Sequence, residues 1–414
     1  MRHVALTVLL CAVAAAQTPY PIRFGHVLSE DGTSFRDDVV LFVLGRTITE
    51  VRPAADVDPR MLERQPSFPD AWVVPGLIDL HTHLLLRPYD EASWEDQVLR
   101  ESNELRTIRA VKAAEATLRA GFVAVRDLGT EGAGYADVAL RDAITAWVTR
   151  GPMVYASTRA LVATGCYGPN LAVGPVPKGA QVVDGPSEMR KAVREQIAGG
   201  ANWIKLYADY RRAPGQRATP TFSAEELAAA CDEAASAGIP VAAHAATDEG
   251  IARAVRAGVR TIEHGSSASD ATLALMVERG VVLCPCLAAN EAIARYAGHQ
   301  GPIVERLNMA RVTFKRALAA GVTIACGSDA GVFRHGDNAR ELELMVEYGM
   351  SPTQALAAAT SVAAKVLGQP NLGTIRAKAW PGLVLLRGDP LRDIRNLREV
   401  IAVFTDDSDV ARFR

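Results

Sequence analysis

The chain has 414 residues, a formal net charge of -2, 49% hydrophobic residues and 22% charged ones. That balance suits a soluble globular protein with a sizeable core and excludes a fibrous or disordered one. With no long run of Lys or Arg, the chain offers no electrostatic footprint for nucleic acid and no basic face for anionic membranes.

The first residues are Arg2 and His3, an apolar run from Val4 to about Val13, and Ala14, Ala15 and Ala16 before Gln17. This pattern predicts a secretory signal peptide over residues 1–16, too short to span a bilayer, and hence a periplasmic or secreted protein with no membrane attachment after cleavage. A lipoprotein reading on Cys11 is disfavoured by Leu10, where a small residue is expected. Beyond it remain Cys166, Cys231, Cys284, Cys286 and Cys326, an odd number that implies no disulfide framework; buried thiols are expected.

From Gln17 to about Trp72 the pattern is one of short strands. Asp38 to Val43 and Thr47 to Val51 read as a hairpin around Gly45-Arg46. Gly382 to Leu386 and Glu399 to Phe404 have the same character, separated by a turn at Gly388-Asp389-Pro390. Neither end can bury a core alone, so 17–72 and 371–414 are expected to form one small discontinuous β-sandwich beside a central domain, 73–370.

Within that domain eight apolar runs read as strands: Leu77 to Leu84, Phe122 to Leu128, Met153 to Thr158, Trp203 to Ala208, Pro240 to Ala245, Thr261 to Gly265, Val281 to Leu287 and Val322 to Asp329. Helical stretches separate most of them, among them Glu101 to Ala120, Ser187 to Ala198, Ser223 to Ala237 and Glu249 to Ala257. The alternation predicts an α/β fold, a (β/α)8 TIM-like barrel whose site is built at the C-terminal ends of its strands.

The polar outliers fall at those ends. On the first strand the period of two turns His81 and His83 to one side, about 6 to 7 Å apart, so that they can grip one metal ion. An isolated H-x-H would equally suit two ordinary histidines in an apolar setting. Lys205 lies within the fourth strand, His244 ends the fifth, His264 the sixth and Asp329 the eighth. Each is costly in such a core, and packing does not readily place them all at matching strand ends.

These residues carry a resemblance. P-G-L-I-D-L-H-T-H (Pro75 to His83), V-R-D-L-G (Val125 to Gly129), W-I-K-L-Y (Trp203 to Tyr207), V-A-A-H (Val241 to His244), T-I-E-H-G (Thr261 to Gly265) and G-S-D-A-G (Gly327 to Gly331) together resemble the metal-dependent amidohydrolase superfamily. The chain looks most like its imidazolonepropionase-related, Xaa-Pro or Xaa-Arg dipeptidase-like branch. The resemblance implies two divalent metal ions, with zinc expected. His81, His83 and Asp329 would hold one ion and His244 and His264 the other, with Lys205 as a carbamate bridge formed from CO2. A desolvated lysine amine has a lowered pKa and can take up CO2, which makes that bridge chemically sensible.

The resemblance further implies attack by a metal-bridging hydroxide, with Asp329 as ligand and general base, on the amide bond of a dipeptide or N-acyl amino acid. A cyclic-amide or lactone hydrolase is the alternative, and a non-catalytic metal-binding protein on the same scaffold the contrasting reading. The partner is a small-molecule substrate, with room for a homo-oligomer. Relatives carry T-G-G-H-G where this chain has T-G-C-Y-G, so Tyr167 stands in for a histidine that polarises the substrate carbonyl and becomes a catalytic candidate. Tyr207, two residues beyond Lys205, is expected to face the substrate, and His335, Arg212 and Arg334 are candidates for binding its carboxylate. Asp79 and Glu263, each beside a ligand, could orient imidazoles. At the C-terminal end A-K-A-W-P-G-L (Ala377 to Leu383) departs from the family's G-K-x-A-D-L.

Overall fold

The computed structural model describes residues 18–168, 177–213, 215–405 and 410–412. The expected signal peptide, 1–16, lies outside them. Strands β1 (Tyr20–Leu28), β2 (Phe35–Leu44), β3 (Thr47–Pro53) and β4 (Ser67–Pro75) come from the N-terminal part; β5 (Leu77–Thr82), β6 (Phe122–Asp127) and β7 (Met153–Ala156) follow. Two short strands, β8 (Leu161–Val162) and β9 (Gln181–Val182), precede β10 (Ile204–Tyr207), and a small hairpin is made of β11 (Asp209–Tyr210) and β12 (Thr219–Pro220). The series ends with β13 (Val241–Ala245), β14 (Thr261–His264), β15 (Val282–Cys284), β16 (Leu383–Leu386), β17 (Val400–Phe404) and β18 (Val410–Arg412).

Both ends of the chain meet in one seven-stranded sheet of order β18-β17-β16-β4-β1-β2-β3. The hairpin around Gly45-Arg46 forms as β2 and β3, and β16 pairs antiparallel with β4, Leu383 against Pro75 through Leu386 against Trp72. This sheet is joined to the central strands directly, because Gly76 donates its N–H to the Gly382 carbonyl and Leu77 to that of Gly121.

The central strands are parallel and, apart from the short β9 and alternate residues of β7, almost wholly buried. They fall into a three-stranded sheet, β5-β6-β7, and a six-stranded one, β15-β14-β13-β10-β8-β9. Asn202 and Trp203 donate to the Ala156 carbonyl, linking β7 to the start of β10. On the other side the run expected as an eighth strand, 322–329, is extended chain that meets β15 and β5 through isolated bridges, Leu283 with Ile324 and Thr82 with Ala330. Regular pairing is interrupted there for local reasons. Gly327 passes so close that a Cβ on it would lie 2.8 Å from Cys284 Cβ and 3.1 Å from His81 Cβ, and Asp329 has φ +63°. The seventh expected strand likewise stops at Cys284, because Pro285 has no N–H to give and Cys286 turns to φ +53°.

The helices follow the amphipathic stretches. The helix Ala224–Ser236 starts at Ser223 in a capping box with Glu226, and Asp248–Ala257 starts at Thr247 and ends at Gly258 with φ +98°. No helix among the described residues is long and apolar enough to cross a membrane. All five described cysteines are buried and free.

Candidate metal centre

Register explains which side chains share the C-terminal end of the strands. Tyr207 lies opposite His244 across β10 and β13, and His244 opposite Glu263 across β13 and β14. His81 on β5 and His83, one residue past its end, project together, and their Nε2 atoms are 3.6 and 3.4 Å from the same Asp329 oxygen, Oδ1. The His81 and His264 ring centres are 5.4 Å apart, and those of His264 and His244 4.5 Å. Lys205, fully inside on β10, places its ammonium 5.4 Å from the centre of the Tyr207 ring.

Hydrogen-bond partners fix the tautomers of the first pair. His83 Nδ1 lies 2.9 Å from the Gly129 carbonyl oxygen, which can only accept, and His81 Nδ1 lies 2.9 Å from Glu263 Oε2. Both Nδ1 atoms therefore carry the proton and both Nε2 lone pairs point toward Asp329. Glu263 is itself held by Arg126, whose Nη2 donates to it at 2.8 Å. Arg126 also donates to the Leu80 carbonyl and Thr261 Oγ1 and lies 4.2 Å over the Trp203 ring, so this buried cation is fully engaged. Asp79 does a different job from the imidazole contact considered for it. It accepts from Ser328 N–H and hydroxyl, Asn338 Nδ2 and the His81 N–H, which ties β5 to the extended segment that carries Asp329.

Burial dominates the electrostatics. It holds His81, His244 and His264 well below the ordinary imidazole value, reinforced at His81 and His244 by the Lys205 charge and at His264 by its histidine neighbours. Burial also lowers Lys205, and it pushes Asp329 up to about 6 against the pull of His83 and Lys205. Two buried polar atoms here, Lys205 Nζ and His264 Nδ1, meet no hydrogen-bond partner. Left so, each is costly. Neutral imidazoles, a carboxylate and an orphaned lysine amine form a donor set that fits divalent metal ions.

The backbone here is unusual. His264, Asp329, Cys286, Glu131 and Tyr167 all have positive φ, between +53° and +71°, a conformation non-glycine residues rarely keep unless the surroundings enforce it. Cys286 brings its sulfur 3.2 Å from His81 Nδ1, and donor atoms of His81, His264, Cys286 and Asp329 lie within 4.8 Å of one another. Because His81 Nδ1 is committed to Glu263, the thiol sits behind that ring, on the side away from the Nε2 lone pair.

The remaining predicted residues divide. The Tyr207 ring stacks on His244 with centres 4.6 Å apart, and Tyr167 packs on Tyr207 at 4.5 Å and on Trp94 at 5.0 Å. The Tyr167 hydroxyl donates to Glu131, which also accepts from Trp94 Nε1 at 2.8 Å and lies 3.5 Å from His83 Nδ1. His335 is buried with its Nε2 3.1 Å from the Leu86 carbonyl oxygen; Arg334 beside it is exposed, and both line a cavity of about 510 Å³ with Arg295 and Tyr296. Arg212 is exposed. Glu131, the Arg126 clamp and Arg306 were not singled out by the sequence reading. A charged residue inside the apolar run Phe122–Asp127 was the available signal for Arg126; nothing local marks the other two.

The amidohydrolase family is matched over residues 72–409. An ochratoxinase from Aspergillus niger is 30% identical over 416 residues, covering 92% of this chain and 84% of its own length. The crystal structure of a Xaa-Pro dipeptidase with methionine bound in the active site is similar at a TM-score of 0.85 and 29% identity, over 96% of this chain and 100% of that one. That of a prolidase complexed with N-methylphosphonate-L-proline is similar at 0.84 and 30% identity, with the same coverage.

Proposed function

The chain belongs to the amidohydrolase family and is a hydrolytic enzyme acting on amide bonds; from that premise we propose a binuclear metal-dependent hydrolase of dipeptides or N-acyl amino acids on a closed (β/α)8 barrel. The observation that carries the reading is the meeting of His81 and His83 Nε2 at one Asp329 oxygen, beside His264, His244 and the orphaned Lys205 amine. His81, His83 and Asp329 would hold one ion, His244 and His264 the second, and a carboxylated Lys205 would bridge them. When bound, two such ions, with zinc the suited metal, supply Lewis acidity and lower the pKa of water.

The protein's own residues do the rest. Asp329, the carboxylate on which the His81 and His83 Nε2 atoms converge, is placed to accept a proton and pass it to the departing amine. The Glu263 and Gly129 acceptors fix the His81 and His83 rings, and Tyr207, Tyr167 and Trp94 wall one side of the site and exclude water from it. The prolidase and Xaa-Pro dipeptidase relatives support a dipeptide or its acyl analogue as substrate, and the apolar leader supports a periplasmic or secreted location.

The test is hydrolysis of a pooled dipeptide and N-acyl amino acid library by zinc-loaded protein, read by mass spectrometry beside Asp329→Asn. Cleavage reduced by roughly 10²-fold or more in the variant is the expected result. No cleavage by metal-replete protein, or equal cleavage by the variant, would overturn the reading; turnover of lactams or lactones alone would move the substrate to cyclic amides and esters.

A further inference from the structure

The helix Pro302–Ala319 rests on the loop that leaves His264. Thr313 donates its hydroxyl to the Ser266 carbonyl at 2.7 Å, Ser267 Oγ lies 3.2 Å from Met309 Sδ, and Arg316 donates to the Ala268 carbonyl and pairs with Asp270. These contacts fix the face that carries residues 309, 313 and 316. Arg306 lies one turn before Met309 and two before Thr313, so helical spacing puts it on the same face, farther along toward the helix N-terminus.

Arg306 is half-buried and makes no hydrogen bond or ion pair among the described residues. The helix face that carries it is seated on the residues that follow His264, on the side of the molecule where the strands carry the candidate ligands, and the Arg306 charge is accordingly felt at Tyr210, Asp329, His244 and His264. The other arginine at the centre, Arg126, is fully engaged by Glu263 and Thr261. A guanidinium partly withdrawn from water without a partner is unfavourable, and its planar fork matches a carboxylate. Asp329 is the nearby acid, but it faces His81 and His83.

We propose that Arg306 binds the carboxylate of the substrate, so that the enzyme selects N-acyl amino acids and dipeptides with a free C-terminal carboxylate over their carboxamides. The inference rests on the amidase reading and replaces the exposed Arg212 and Arg334 as the carboxylate anchor. Arg306 is thus a specificity-determining residue that touches the non-reacting end of the substrate.

Two measurements separate this inference from the one it rests on. In the first, metal-replete wild type, Arg306→Gln and Arg306→Lys hydrolyse matched N-acetyl amino acids and N-acetyl amino acid carboxamides. The expected result for Arg306→Gln is a KM for the acids raised about 10- to 100-fold, a much smaller change in kcat and no added penalty for the carboxamides, with Arg306→Lys between the two. In the second, titration calorimetry follows L-proline and L-phenylalanine, and their carboxamides, binding to the same proteins; only the free acids should lose affinity in Arg306→Gln. Amide cleavage with equal acid and carboxamide constants in wild type and variant would overturn the Arg306 assignment and leave the amidase standing. Loss of acid binding in the variant of a protein that cleaves no amide would do the reverse. Wild type that binds neither acid better than its carboxamide would also overturn the assignment.

Discussion

His335 illustrates what one buried group contributes. It is 8% exposed, its Nε2 donates to the Leu86 carbonyl and its Nδ1 meets no partner, and burial pushes its pKa from 6.5 down to about 4. The unfolded chain takes up the proton near 6.5 and the folded protein only near 4, so the neutral ring's contribution is whole above 6.5 and is lost as pH falls through that window. A shift of that size corresponds to about 3 kcal/mol. His335→Gln keeps a donor for Leu86 without titrating. It is expected to flatten the acid side of the stability curve, measured as denaturant midpoints from about pH 7.5 to about pH 4. An equal slope in wild type and variant would show that the ring titrates as freely folded as unfolded.

At the scale of elements, the seven-stranded sheet depends on a bulge. Phe24 pairs with Phe68 and His26 with Trp72, so β4 carries extra residues opposite Gly25, and a Cβ there would lie 1.7 Å from the Pro69 carbonyl oxygen. Gly25→Ala has no room and must push the two strands apart. A loss of roughly 1–3 kcal/mol is expected in equilibrium unfolding, with the metal centre's ligands undisturbed. Full stability in that variant would mean that the strands do not approach as closely there. The strands themselves were largely legible, because alternation and apolar runs are local properties of the chain; β2, β3, β5, β6, β16 and β17 all fall within a few residues of their predicted places. The eighth run was extended but not a strand, since its interruption comes from Gly327 crowding Cys284 and His81, neighbours distant in sequence. The site divides in the same way. His81, His83, Lys205, His244, His264 and Asp329 could be marked because each breaks an apolar run. Glu131, Cys286 and Arg306 could not, because their proximity to the centre comes from a turn backbone, from Pro285 ending a strand and from the seating of a helix.

For the molecule as a whole, the proposed ligands are drawn from β5, β10, β13, β14 and the extended segment before Ala330, so an ion held by them would tie both central sheets to that segment. Because the set is assembled only in the folded protein, bound metal adds to stability by mass action, about 3 kcal/mol at a hundredfold excess of free ion over Kd. Dialysis against a chelator is expected to lower the Tm by several degrees and re-addition of Zn2+ to restore it, both followed by circular dichroism. A Tm indifferent to the chelator would argue that the cluster holds no ion.

The pairing of β4 with β16 also has a consequence for biosynthesis. Residues 67–75 leave the ribosome more than three hundred residues before 383–386, the strand that covers their edge. Until then β4 is a pairing template open to any passing chain. The nascent polypeptide must therefore be shielded or kept unfolded until its last segment emerges, which would suit a protein handed to an export pathway before it folds. A chain stopped short of residue 383 would keep its ligand-bearing strands and still be drawn toward aggregation by that open edge.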